Sequence, residues 1–347
     1  MIVAMKKAAC RAAIVTAGVA ALAVSGHGAF AQSQADFYRG KTITIIVGTG
    51  AGGSYGIAAQ LLARYWASHI SGKPTIIVQA MPGGGGLKMA GYLHNVAPAD
   101  GTVVGMALQT VAMAQMLKPK DVKHDVRTWP WIGNMASLRQ SIVVMAKAPV
   151  RSFEDARKQE VVIGATARSG NLFIVPQMAK EVAGAKFKIV LGYRGGSDIN
   201  KAMESGEVQG RGGTWQTWNM EFPGWLKEGK LVPLVLTGKK RDPDWPKVPL
   251  LRELVEDPLD RQVVDFFGNT DEMARPFAAV PKTPRDVVEV LRTSFEAAVK
   301  DPKMIADAAR RSIPVEPTSW RELEKAALGT LDTPPKVVER LQQVIAK

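Results

Sequence analysis

Apolar positions along this chain come in short β-branched runs that end abruptly in glycine. Residues 41–56 (KTITIIVGTGAGGSYG) and 74–86 (PTIIVQAMPGGGG) both do so. Each is followed by helically spaced apolar residues, at 57–70 and 87–96. Strand, glycine loop and helix, repeated within about fifty residues, is the letter pattern of a parallel α/β sheet. Residues 102–108 predict a third strand, 110–117 a helix, and 129–136 and 141–146 two more strands. The last is apolar almost throughout, as in a strand buried on both faces. The pattern resets at Arg151. A serine-capped helix at 152–159 leads to a strand at 161–167, a helix at 172–182 and a strand at 187–191. A helix at 198–205 capped by Ser197, a short strand at 208–211 and a strand at 231–236 complete this second unit. The Pro- and charge-rich stretch 239–249 reads as a surface loop, and 275–280 as a strand. Four helices follow, at 284–300, 302–311, 319–328 and 335–345, each opened by Pro or Ser.

Both early glycine loops fall at the carboxyl ends of neighbouring strands, where open α/β sheets hold ligands. Glycine lets the backbone approach a ligand closely, and the helix behind it aims free N–H groups at the same point. No Asp or Glu occurs between Asp36 and Asp100, whereas Lys41, Arg64, Lys73 and Lys88 do. This favours a backbone-built anion site over simple tight turns. Gly48-x-Gly50-x-x-Gly53 satisfies the dinucleotide fingerprint, but the second strand ends in Gln79 and Ala80 rather than the acid that would hold a ribose. Gly52-Gly53-Ser54-Tyr55-Gly56 matches a nucleophile elbow, yet no histidine lies in the last two-thirds of the mature chain to serve Ser54. A phosphate-binding P-loop is excluded, because no Gly-Lys-Ser/Thr follows. The second unit adds polar donors at its loops in Arg168, Ser169, Asn171, Arg194 and Thr214; ordinary αβ connections are the plain alternative. Trp215 and Trp218 straddle a glycine loop and either wall a cleft or anchor the core, and Trp320 is expected in the core.

The N-terminus bears on compartment. Lys6, Lys7 and Arg11 precede a short apolar core at 12–24, and Ala29-Phe30-Ala31 offers a signal-peptidase site. Cleavage after Ala31 would leave 316 of the 347 residues, and losing the three basic residues takes the net charge from +13 to +10. The only cysteine, Cys10, would leave with the leader, which removes disulfide, thiolate and cysteine–metal chemistry from the mature chain. No second apolar run approaches a membrane span. Export to a bacterial periplasm is expected, so the basic balance points to a solvated surface that steers anions rather than to nucleic acid. At this length two domains are expected. His69, His94 and His124 lack ligand spacing, so neither a metal nor a cofactor is expected.

VGTGAGGSYG, PTIIVQAMPGGGG with LHNVAPADGT, LGYRGGSDINKAMESGEVQGRGG and RPFAAVPKTP together resemble the extracytoplasmic solute receptors of the tripartite tricarboxylate transporter class, the Bug family. The resemblance runs through nearly the whole mature chain. It implies a type II periplasmic binding protein, with two α/β domains closing on a ligand through crossing strands near 138–144 and 265–275. Residues 32–140 and 270–347 would form the first domain and 141–269 the inserted second. The implied ligand is a small organic acid, held in the first domain by Gly48, Thr49, Gly50, Gly52, Gly53, Ser54 and Tyr55. The second loop would add Met81, Pro82, Gly83, Gly84 and Gly85. Facing donors would be Thr166, Arg168, Ser169, Asn171, Tyr193, Arg194, Gly195, Gly196, Thr214 and Trp215. Relatives commonly carry an Asp where this chain has Gly56, an Arg at Gln60 and an Asn at Ala80, so recognition would rest more on backbone. The carboxylate is expected on the amides that follow Gly53 and Gly84. The implied partners are inner-membrane permease subunits, with a monomeric receptor. The alternatives are a ligand-sensing partner of a signalling protein and an exported hydrolase using Ser54.

Overall fold

The computed structural model describes residues 37–346 apart from positions 118, 216, 217, 223, 239, 240, 243 and 244. The expected signal peptide, 1–31, lies outside the described residues. The fold is two-domain α/β, with one mixed sheet in each domain.

The first sheet has the order β11-β4-β10-β3-β1-β2. Its strands are β1 (Thr42–Val47), β2 (Thr75–Ala80), β3 (Val103–Met106), β4 (Trp131–Asn134), β10 (Pro276–Ala279) and the two-residue β11 (Thr318–Ser319). β1 is flanked by β2 and β3 in parallel, while β10 runs antiparallel between β3 and β4. Helix α1 (Ser54–His69) follows the first glycine loop and α2 (Leu87–Asn95) the second. Ile43, Ile45 and Val47 alternate inward from β1 to a core with Trp66 of α1 and Phe295 of α9 (Arg285–Val299). The Trp66 indole N–H ends on Ser294 Oγ at 2.9 Å, so the polar edge of the largest core side chain is satisfied.

The second sheet has the order β7-β6-β8-β5-β9. Its strands are β5 (Gln140–Met145), β6 (Val161–Gly164), β7 (Phe187–Val190), β8 (Gly210–Thr214) and β9 (Leu231–Leu236). The central β5 is fully buried, matching its unbroken apolar run. Helix α3 (Val111–Leu117) faces both domains, with Val111 and Ala112 beside Trp131 of the first and Met113 and Leu117 in the core of the second. Around the second sheet lie α4 (Phe153–Lys158), α5 (Asn171–Ala183), α6 (Gly196–Ser205), the single turn α7 (Trp218–Glu221) and α8 (Pro258–Asn269). The serine cap of α4 is present, with Ser152 and Asp155 forming a capping box.

Several expectations are corrected. Ser197 lies inside α6; the cap is extended Gly195, and Gly196 sits where a side chain would press on the Arg211 guanidinium. Gly212 and Gly213 belong to β8 rather than to a loop. At Gly212 an added methyl would come within 3.2 Å of Pro176, so glycine there admits α5 directly onto the strand. The crossing foreseen at 265–275 begins as helix α8, which Asp257 caps ahead of Pro258. The two connections actually meet at 135–139 and 270–275. There Leu138 N–H donates to Asp271 O, Met135 N–H donates to Arg275 O, and Asn134 Oδ1 accepts from Arg275 N–H.

The remaining helices are α10 (Pro302–Arg310), α11 (Trp320–Leu331) and α12 (Pro335–Ala346). Although 270–347 was expected to return to the first domain as a block, α12 packs on the second. Val337, Leu341, Val344 and Ile345 share a core with Phe173, Val263 and Phe267, and Arg340 pairs with Asp260 of α8. Trp320 is half-buried, packing against the edge of the first domain's core with the guanidinium groups of Arg292 and Arg321 over its ring.

Candidate functional site

The loops leaving β1, β2, β6 and β7 and the end of β8 converge on one cleft between the sheets, of about 280 Å3. That is near the small end of the roughly 300–1,000 Å3 found for small-molecule sites. Gly48, Thr49, Gly53, Ser54 and Tyr55 line it from one side, with Pro82, Gly83, Gly84 and Gly85. Thr166, Asn171, Tyr193, Arg194, Gly195, Gly196 and Thr214 line it from the other.

Six of the expected residues are not among those lining it. Gly50 and Gly52 form the lip and face Ser197 across the mouth. Met81 packs against the core beside β1. Arg168 turns away, lies over the Phe173 ring and donates to the carbonyl of Ile345 at 3.0 Å. Ser169 spans the domains, its Oγ donating to Gly84 O at 2.6 Å. Trp215 is buried against Trp245, and Trp218 donates to Ser141 Oγ beneath Arg211, so neither tryptophan walls the cleft. Nor do Gln60 and Ala80 reach it: Gln60 is exposed on the outer side of α1 and Ala80 packs on the core. At Gly56 an added methyl would sit 2.1 Å from Ala51 O, so no Asp fits this loop conformation.

The reading of the sequence missed Arg211 and Glu221. Arg211 leaves β8 inside the protein, donates through Nε to Asn200 Oδ1 at 2.6 Å and forms an ion pair with Glu221. Both side chains are at most 5% exposed. Burial pushes the Arg211 guanidinium below its ordinary value, against the pull of Glu221. Glu221 Oε1 also accepts the Ser54 N–H at 3.0 Å, so a carboxylate of the second domain caps the first turn of α1. The amide expected to hold a ligand carboxylate is therefore met by the protein's own. One signal was available: an arginine inside a strand that is covered on both faces needs a buried partner.

Tyr55 forms the floor. Its ring lies against the Arg275 guanidinium, 4.1 Å away, its hydroxyl accepts Gln109 N–H at 3.4 Å, and burial raises its pKa. From there a polar chain runs to the hinge. Asn171 Nδ2 donates to Gln140 Oε1, Gln140 Nε2 donates to Gln109 Oε1, and Gln109 Nε2 donates to Asp271 Oδ1. Burial pushes the Asp271 carboxyl up to about 8, against hydrogen bonds from Thr237 and Gln109. Tyr193 is pushed up to about 12 by burial and by its hydroxyl donating to Glu207. Arg194 is exposed at the cleft and has no ion pair or hydrogen bond among the described residues.

The described histidines are engaged elsewhere: His69 with Asp301, His94 with Trp129 Nε1, and His124 with Val111 O. None lies beside Ser54 to take its proton. Among the described residues no cluster of His, Cys, Asp or Glu is arranged to hold a metal, and no helix is long and apolar enough to cross a membrane.

Two α/β domains flanking a glycine-walled cleft match the architecture of a solute-binding protein of the periplasmic type. The family profile described as tripartite tricarboxylate transporter family receptor matches residues 62–342, and the chain belongs to that family of solute-binding receptors. It is 28% identical over 344 residues to the "UPF0065 protein in gbd 5'region" of Cupriavidus necator, covering 94% of this chain and 96% of that protein. In fold it is similar to the periplasmic binding protein BugD, with TM-score 0.72, 18% identity and coverage of 88% and 98% of the two chains. It is also similar to Rpa4515 of R. palustris, solved with adipate, with TM-score 0.69, 18% identity and coverage of 88% and 97%.

Proposed function

We propose that this protein is a periplasmic receptor that captures a small organic acid by its carboxylate and delivers it to the membrane subunits of a tripartite tricarboxylate-type transporter. The observation that carries this reading is Arg194, a guanidinium without an ion pair or hydrogen bond among the described residues, on the wall of a small interdomain cleft in which Arg211 and Glu221 pair with each other. A carboxylate accepts a guanidinium in a paired, charge-assisted geometry. The amides of the glycine loops supply further donors, and the adipate held by Rpa4515 is an acid of this class. Ligand bridging both loop sets would shift the two domains toward the closed arrangement, the form presented to the permease. Residues 1–31 would act as the export signal, removed after Ala31.

Thermal unfolding against a panel of carboxylates, sugars and cations tests this. A ligand at a hundredfold excess over its Kd stabilises by about 2.7 kcal/mol, a clear rise in Tm. A response confined to acids supports the reading. Silence from every acid together with a rise for a sugar or a cation would end it.

A further inference from the structure

Resting on that reading, we infer that Glu221 is a specificity-determining residue that restricts the ligand to monocarboxylates. The charged side chains among the described residues lining the cleft are Arg194, Arg211 and Glu221. Arg211 and Glu221 form one buried pair, and Glu221 further holds Asn200 Nδ2 and the Ser54 amide. Arg275 lies behind the Tyr55 ring, donates to Ala274 O and is 1% exposed, so it does not touch a ligand in the cleft. Among the described residues, Arg194 is thus the cation on the cleft wall itself that has no counter-charge. A second carboxylate brought toward α1 would meet Glu221 in a site shielded from water, where like charges repel strongly and the best backbone donor is already taken. The rest of the wall suits an uncharged end, since Leu108, Leu172, Pro82 and Tyr55 border the same space.

Isothermal titration of the whole mature protein with acids matched in length, hexanoate against adipate and butanoate against succinate, tests this. Wild type is expected to bind the monoacid of each pair at least about tenfold more tightly. Glu221→Gln leaves Arg211 without a counter-charge and presents two cations, so the preference is expected to fall to parity or reverse. Diacids bound as tightly as monoacids by wild type would overturn the inference without touching the carboxylate reading. A monoacid preference that persists in Glu221→Gln would remove the role given to Glu221. Should that variant not fold, the wild-type comparison still decides. If neither kind of acid binds wild type, this inference falls, and the wider thermal panel decides the receptor reading separately.

Discussion

The Ser169 hydroxyl of one domain donates to the Gly84 carbonyl of the other at 2.6 Å, a hydrogen bond between residues 85 positions apart that seals one edge of the cleft. It exists only while the domains are together, so its energy belongs to closure and not to folding. Ser169→Ala removes a bond worth about 1 kcal/mol. Ligand affinity should fall about fivefold by titration calorimetry, with the Tm of the free protein moving little.

Gly85 makes the same edge intolerant of any side chain. Its φ is +61°, and an added methyl would stand 2.6 Å from Ser169 Oγ and 2.8 Å from Gly170 N. Gly85→Ala should prop the domains apart, since the clash is with the opposite domain and not with its own. Small-angle scattering with saturating ligand should show wild type contracting and the variant staying extended. A variant that contracts like wild type would show that the loops yield.

These contacts show which parts of the architecture can be seen in letters. The glycine loops after β1 and β2 are local steric statements, and so are the serine caps at Ser152 and Ser319, which form as read. Sixteen of the twenty-two expected site residues line the cleft for the same reason: strand–loop–helix order fixes which loops face inward. Arg168 and Trp215 turn away because their partners, the end of α12 and Trp245, lie far along the chain. Glu221 meets Ser54 across 167 positions, from one turn of helix with no periodicity to announce it. Helix α8 was legible in principle through Asp257-Pro258, and its apolar stripe was misread as part of a crossing strand.

At the hinge, Asp271 gives a dependence on pH with a definite sign. Its folded-state value of about 8 lies above the ordinary 3.8, so the folded protein holds a proton there that the unfolded chain has released. Stability from this group is fully present below about pH 4 and is lost as pH rises toward 8, with a slope of at most about 1.4 kcal/mol per pH unit. Asp271→Asn keeps the shape and needs no proton. Urea melts at pH 5 and pH 8 should differ by less in the variant than in wild type, and the variant should be the more stable at pH 8.

The last helix should matter for stability and not for binding. Leu341 is fully buried in the core that α12 shares with the second domain, away from the cleft. Leu341→Ala is expected to cost about 2–5 kcal/mol, as for other buried leucines. Denaturant unfolding would show the loss, and ligand affinity measured on the folded fraction should stay within about twofold.

Arg194 should behave in the opposite way. It is exposed, and among the described residues it has no ion pair or hydrogen bond to lose, so Arg194→Gln is expected to leave the unfolding midpoint of the free protein in place. The same change removes the cation that, among the described residues lining the cleft, has no counter-charge. A charge-assisted bond is worth about 1.5–3 kcal/mol, which predicts carboxylate binding roughly ten- to a hundredfold weaker by titration calorimetry. Because the lost partner is a charge, wild-type affinity should decline with added salt more steeply than that of the variant. Equal affinities and equal salt slopes would place the carboxylate on the backbone loops alone and leave Arg194 to the surface.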